Sequence, residues 1–84
     1  MNNIEYYNNK IKENRIIDVQ VYQIENITDN TILFISGGFN GHGVWNYYIK
    51  QIANLIDLFP GSYVLGLTYD ALDDVWYLKL VVKE

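Results

Sequence analysis

The chain has 84 residues, 50% hydrophobic and 19% charged, which is enough for one domain (residues 1–84) around a single core and too apolar for a disordered tail. Ten acids face six bases for a formal charge of -4, with no run of Lys or Arg to follow a phosphate backbone, so direct nucleic-acid binding is not expected. The absence of cysteine excludes disulfides and thiolate metal sites.

The amino terminus, MNNIEYYNNK, has neither the basic region nor the apolar stretch of a signal peptide. No apolar run approaches the roughly 18 residues that span a bilayer. A cytoplasmic protein without membrane contact is the expectation.

Residues 3–13 are polar, but Ile4, Tyr7 and Ile11 recur at helical spacing and predict a short helix with a narrow apolar stripe. From Ile16 to Ile24 the pattern changes to alternation, with Ile17, Val19 and Val21 on one face and Asp18, Gln20 and Tyr22 on the other, which is a half-buried strand. Asn26 to Asn30 supplies turn chemistry. A second strand, Thr31 to Ser36, carries the unbroken run Ile32-Leu33-Phe34-Ile35, the mark of a central strand buried on both faces. The two strands are expected to form a hairpin.

Between Gly43 and Phe59 the residues Val44, Tyr48, Ile52, Leu55 and Phe59 fall at helical spacing, with Trp45, Ile49 and Ile56 widening the stripe. Pro60 cannot continue that helix, and Gly61 permits the turn that follows. Tyr63, Leu65, Leu67 and Tyr69 then alternate with Val64, Gly66 and Thr68. After the acidic turn Asp70 to Asp74, Trp76, Leu78, Leu80 and Val82 alternate with Val75, Tyr77, Lys79 and Val81, so a second hairpin is expected. The order α-β-β-α-β-β predicts an α+β fold, an antiparallel four-stranded sheet with one main helix on one face and a short amino-terminal helix.

Candidate sites are few. The segment from Gly37 to Gly43 leads from a strand into a helix, where backbone N–H groups can cradle an anion. It matches neither nucleotide fingerprint: no Lys-Ser/Thr follows the last glycine, and the spacing G-x-G-x-x-G is not met. Its glycines let the chain turn tightly, and Phe39, Asn40 and His42 are its candidate contact residues. His42 is the sole histidine, and nothing in the sequence orients it toward a nucleophile or joins it to a metal-ligand set. No enzymatic activity, cofactor or metal is expected.

Asp70, Asp73 and Asp74 cluster on the second hairpin without the spacing of an EF-hand. They face water or the Lys and Arg side chains of a partner. Eight tyrosines and two tryptophans exceed what a core of this size needs, and such side chains dominate interface hot spots. Tyr48, Tyr63 and Trp76 fall on apolar faces, whereas Tyr6, Tyr47 and Tyr77 are expected to be exposed. The expected partner-binding set is Phe39, Asn40, His42, Trp45, Tyr47, Asp70, Asp73, Asp74 and Tyr77.

Over residues 31–82 the sequence resembles the immunity protein 7 family of bacterial polymorphic toxin systems. The likeness rests on Ser36, Gly37 and Asn40 ahead of the helix, on Pro60, Gly61, Ser62 and Tyr63 at its stop, on Gly66, Leu67 and Tyr69 in the next strand, and on Asp70, Asp73 and Asp74 in the acidic hairpin. The resemblance implies a non-enzymatic cytoplasmic protein that binds a cognate toxin and blocks its active site. An acidic surface also speeds encounter with a basic partner, such as a basic toxin or an effector that itself holds nucleic acid. A phage-encoded anti-defence inhibitor, such as an anti-CRISPR protein, is the alternative, and a ligand-binding module built on the Gly37 to Gly43 loop is the second. An exposed outer strand can support a homodimer.

Overall fold

The computed structural model describes residues 4–38 and 44–83, with side chains for all of these except 38 and 44–47. The described residues form α1 (Ile4–Glu13), β1 (Val19–Ile27), β2 (Asn30–Gly38), α2 (Val44–Leu58), β3 (Tyr63–Asp70) and β4 (Val75–Lys83). This is the expected α+β order. All neighbouring strands are antiparallel, in the spatial order β1-β2-β4-β3. The two apolar-rich strands β2 and β4 thus take the centre, and β1 and β3 form the edges.

Both helices pack on one face of the sheet. Tyr7 and Ile11 of α1 and Leu55 and Phe59, from α2 and the residue after it, share a buried cluster with Val21, Leu33, Ile35, Leu78, Leu80 and Val82. The strand residues among them alternate along β1, β2 and β4, as side chains must to reach a single face. Burying a side chain such as Leu33 or Leu80 stabilises the fold by about 1.5–3 kcal/mol each, and both are wholly buried.

α1 ends in a Schellman closure. Arg15 N–H donates to the Lys12 carbonyl at 2.9 Å and Ile16 N–H to the Ile11 carbonyl at 3.2 Å, with Arg15 in the left-handed region at φ 60°. Glycine ordinarily fills that position. The closure turns Ile16 inward against Ile11, and both are buried. The first strand therefore begins later than alternation suggested: Ile17 is exposed, Asp18 has φ 65°, and regular pairing starts at Val19. The strand continues through Asn26 to Ile27, leaving only Thr28 and Asp29 in the turn.

Two bulges correct the expected faces. On β1 the register shifts between Val21 and Gln23, and on β3 between Val64 and Gly66. The shift at Leu65 moves Tyr63 onto the face opposite Leu67 and Tyr69: Tyr63 pairs with Val81, whereas Leu67 pairs with Leu78 and Tyr69 with Trp76. Tyr63, expected on an apolar face, is consequently exposed. On α2 the buried stripe is narrower than the spacing implied, because Ile49 and Ile56 are exposed while Tyr48, Gln51 and Leu55 are buried.

The edge of β1 is closed by α1. Asn8 Nδ2 donates to the Val21 carbonyl at 3.0 Å, and its Oδ1 accepts from the Val21 N–H at 2.8 Å. Gln51 performs a related task from α2, donating from Nε2 to the Ile17 carbonyl at 2.9 Å while its Oε1 accepts from Asn54. Two helices and the strand entry are tied by side-chain amides.

Candidate interaction surface

The face of the sheet opposite the helices carries an aromatic group. Tyr22 meets Phe34 at a ring separation of 6.3 Å and Tyr77 at 6.0 Å, both edge-to-face, a geometry favoured by the ring quadrupoles. Lys79, in register with Phe34, holds its ammonium 5.6 Å from that ring. Ile32 and Val81 lie in register on the same face and are buried, although both stand outside the cluster shared with the helices. Tyr22 remains exposed, and Phe34 and Tyr77 are half-buried. Tyr77 was expected to be exposed; its contact with Tyr22 covers part of the ring.

One end of the sheet gathers the acidic turn and the start of the central strands. Gly38 pairs with Val75, Gly37 with Trp76, and Asp70 with Val75. Asp70 to Asp74 thus sits beside the point where β2 leaves the sheet toward α2. Gly37 and Gly38, read from sequence as loop, are the last residues of β2. On the helix-covered side of this end Tyr48 stacks on Trp76 at 5.0 Å, and Trp76 meets Tyr69 at 4.7 Å.

The three acids have different tasks. Asp70 Oδ1 accepts from the N–H groups of Leu72 and Asp73 at 3.0 and 3.3 Å, so it builds the turn. Asp74, in the left-handed region at φ 54°, accepts from the Tyr69 hydroxyl at 2.6 Å. That hydrogen bond is the main cause that raises the Tyr69 pKa, with desolvation and the charges of Asp74 and Asp70 adding to it. Asp73 is exposed and is the acid most available to a cationic partner. Among the described residues, no group of three or more His, Cys, Asp or Glu is arranged to hold a metal ion.

Asp70, Asp73 and Asp74 therefore lie at one end of the sheet, next to the start of β4, from which Tyr77 leaves on the face opposite the helices. Phe39, Asn40 and His42 lie outside the described residues, as do the side chains of Trp45 and Tyr47 on α2. Sequence reasoning missed Tyr22 and Phe34. Both occupy the strand phase opposite the core residues; for Tyr22 a large aromatic in the phase expected to face water was the available signal, whereas Phe34 sits in a run expected to be buried on both faces, which offered none.

A groove of about 290 Å³ lies at the other end of the molecule, where Tyr6, Lys10, Phe59, Pro60 and Lys83 are among its walls. Lys10 spans the Tyr6 and Phe59 rings at 6.0 and 5.8 Å. No helix among the described residues is long and apolar enough to cross a membrane.

No family model, curated protein or solved structure matches this chain.

Proposed function

We propose that this chain is a non-enzymatic protein inhibitor of the immunity-protein kind, which binds a basic toxin and covers its working surface. The observation that carries this reading is the aromatic group Tyr22, Phe34 and Tyr77 on the sheet face opposite the one on which, among the described residues, the helices pack. An exposed Tyr22 beside the half-buried Phe34 and Tyr77, over an apolar floor of Ile32 and Val81, has the make-up of an interface centre, where Tyr and other aromatic side chains supply most of the binding energy. The acidic turn at one end of the sheet places carboxylates at the rim, where charge governs encounter rate and orientation. The resemblance of residues 31–82 to the immunity protein 7 family points in the same direction.

The test is a growth-rescue assay with toxin domains encoded beside this gene. Co-expression of the chain is expected to restore growth, and a one-to-one complex is expected from the purified pair. Tyr77→Ala and Phe34→Ala are expected to weaken that complex by about tenfold or more each, while circular dichroism shows both variants folded. Asp73→Lys is expected to slow association without a comparable effect on dissociation. Failure to rescue growth from any neighbouring toxin overturns the reading.

A further inference from the structure

The groove beside α1 is built on the core. Tyr7, Phe59 and Val82 form its floor, and all three are buried members of the cluster between sheet and helices. Phe59 packs edge-to-face on Tyr7 at a ring separation of 5.8 Å, and Tyr7 meets Tyr6 in the same way at 5.1 Å. Pro60, where α2 cannot continue, supplies a further wall. The volume of about 290 Å³ stands at the lower end of small-molecule sites, roughly 300 Å³, and apolar walls with a few charged groups are their usual composition.

Its charge is opposite to that of the chain. Ten acids outnumber six bases in the sequence, yet Lys10 and Lys83 are two of the walls and, among the described residues, no Asp or Glu is. Glu13, one turn along α1 from Lys10, lines the adjoining hollow with Asn9 and Asn14. The Lys10 side chain is half-buried, and its ammonium lies 6.0 Å from the centre of the Tyr6 ring and 5.8 Å from that of Phe59. A ring face attracts the charge without accepting a directed hydrogen bond, which leaves the ammonium donors for an oxyanion.

We propose that this groove binds a small aromatic anion, whose ring lies against Tyr6, Phe59 and Pro60 and whose carboxylate or phosphate oxygens are held by Lys10 and Lys83. Both halves of the ligand are needed. An inorganic anion would meet two ammonium groups near the surface of a chain of net charge -4, where ion pairs contribute little. A neutral ring would leave both lysines without a counter-charge. In one molecule the seated ring holds the oxyanion at the lysines, so the second contact costs no further loss of translational freedom. The groove lies apart from the aromatic sheet face and the acidic turn, and its ligand is independent of the inhibitor reading.

The experiment is a titration of the full chain, followed by two-dimensional amide NMR, with phenylacetate, phenyl phosphate, the neutral phenylacetamide and inorganic phosphate. Saturable shifts centred on residues 6–10, 58–60 and 82–83 are expected for at least one of the two aromatic anions, with phenylacetamide and inorganic phosphate each weaker by about tenfold or more. The tighter of the two anions identifies the head group. Lys10→Met and Lys83→Met are each expected to weaken binding by about threefold or more, in the upper range for one ion pair near a surface. Lys50→Met, on α2 and outside the groove, is expected to leave binding unchanged. Circular dichroism verifies the fold of each variant. No saturable binding of either aromatic anion overturns the proposal, as do equal affinity for phenylacetamide, shifts centred elsewhere, or a loss that Lys50→Met reproduces. Growth rescue is measured without these ligands, so either proposal can fail without the other.

Discussion

Asn8 binds both backbone groups of Val21, donating to its carbonyl at 3.0 Å and accepting from its N–H at 2.8 Å. The two bonds fasten α1 to the edge of β1 where the register shifts between Val21 and Gln23. The outer backbone groups of an edge strand have no ladder partner, and here one carboxamide replaces the missing strand. Asn8→Ala is expected to destabilise the fold by about 1–3 kcal/mol, because two partly buried backbone groups lose their partners together. Asn8→Asp keeps only the acceptor, so its loss should be comparable at neutral pH. Urea denaturation followed by tryptophan fluorescence measures both; a change within error of zero for Asn8→Ala means that water replaces the amide without cost.

Left-handed backbone occurs at the carboxy-terminal ends of both helices, filled by Arg15 at φ 60° after α1 and by Gly61 at φ 84° after α2. Arg15→Gly is expected to stabilise the protein by up to about 1 kcal/mol, since the strain of an L-residue there exceeds the added chain entropy. Gly61→Ala is expected to destabilise it by a similar amount. A methyl group at Gly61 would meet nothing within 4 Å, so the backbone alone decides the sign. Equilibrium unfolding of the two variants should move in opposite directions.

Element order, the central place of β2, the helix stop at Pro60 and the second hairpin were all legible in the sequence. Each depends on local chemistry: period, turn residues, or a proline. The faces of β3 were not legible, because Val64, Leu65 and Leu67 are apolar in both phases and alternation cannot locate a bulge among them. The left-handed Arg15 was equally hidden, since no glycine marked it. At the candidate surface, Asp70, Asp73, Asp74 and Tyr77 could be named from the hairpin alone. Tyr22 and Phe34 required the pairing of β1 with β2, which no single segment specifies.

Two tyrosines should titrate later than the rest. Burial raises the pKa of Tyr48 far above the ordinary value of 10.0, and the Asp74 hydrogen bond raises that of Tyr69. For each, the folded state holds its proton more tightly than the unfolded chain. Their contribution to stability is therefore complete below pH 10 and is lost as pH rises through the folded values. Unfolding experiments above pH 10 should show declining stability, and Tyr48→Phe should reduce the slope. Ultraviolet titration of the eight tyrosines should show the latest-ionising component removed by Tyr48→Phe, and a smaller delayed component removed by Tyr69→Phe. A single transition in which all tyrosines ionise together would contradict this assignment.

Leu33 and Ile32 are adjacent and both buried, at 0% and 7% exposure, yet they face different surroundings. Leu33 points into the layer between sheet and helices, where its removal leaves a cavity walled on every side. Ile32 points to the opposite face, outside the cluster packed against the helices. Leu33→Ala is therefore expected to cost about 2–5 kcal/mol, and Ile32→Ala to fall at or below the lower end of that range. The order reverses for association with a partner. Ile32→Ala lowers the apolar floor beneath Tyr22, Phe34 and Tyr77 and should weaken a complex formed there, whereas Leu33→Ala, measured where it remains folded, should leave the affinity close to that of the parent chain. Denaturation and titration calorimetry on the two variants separate the effects. If Ile32→Ala is the more destabilising and has no effect on binding, the open face belongs to the core and the contact surface lies elsewhere.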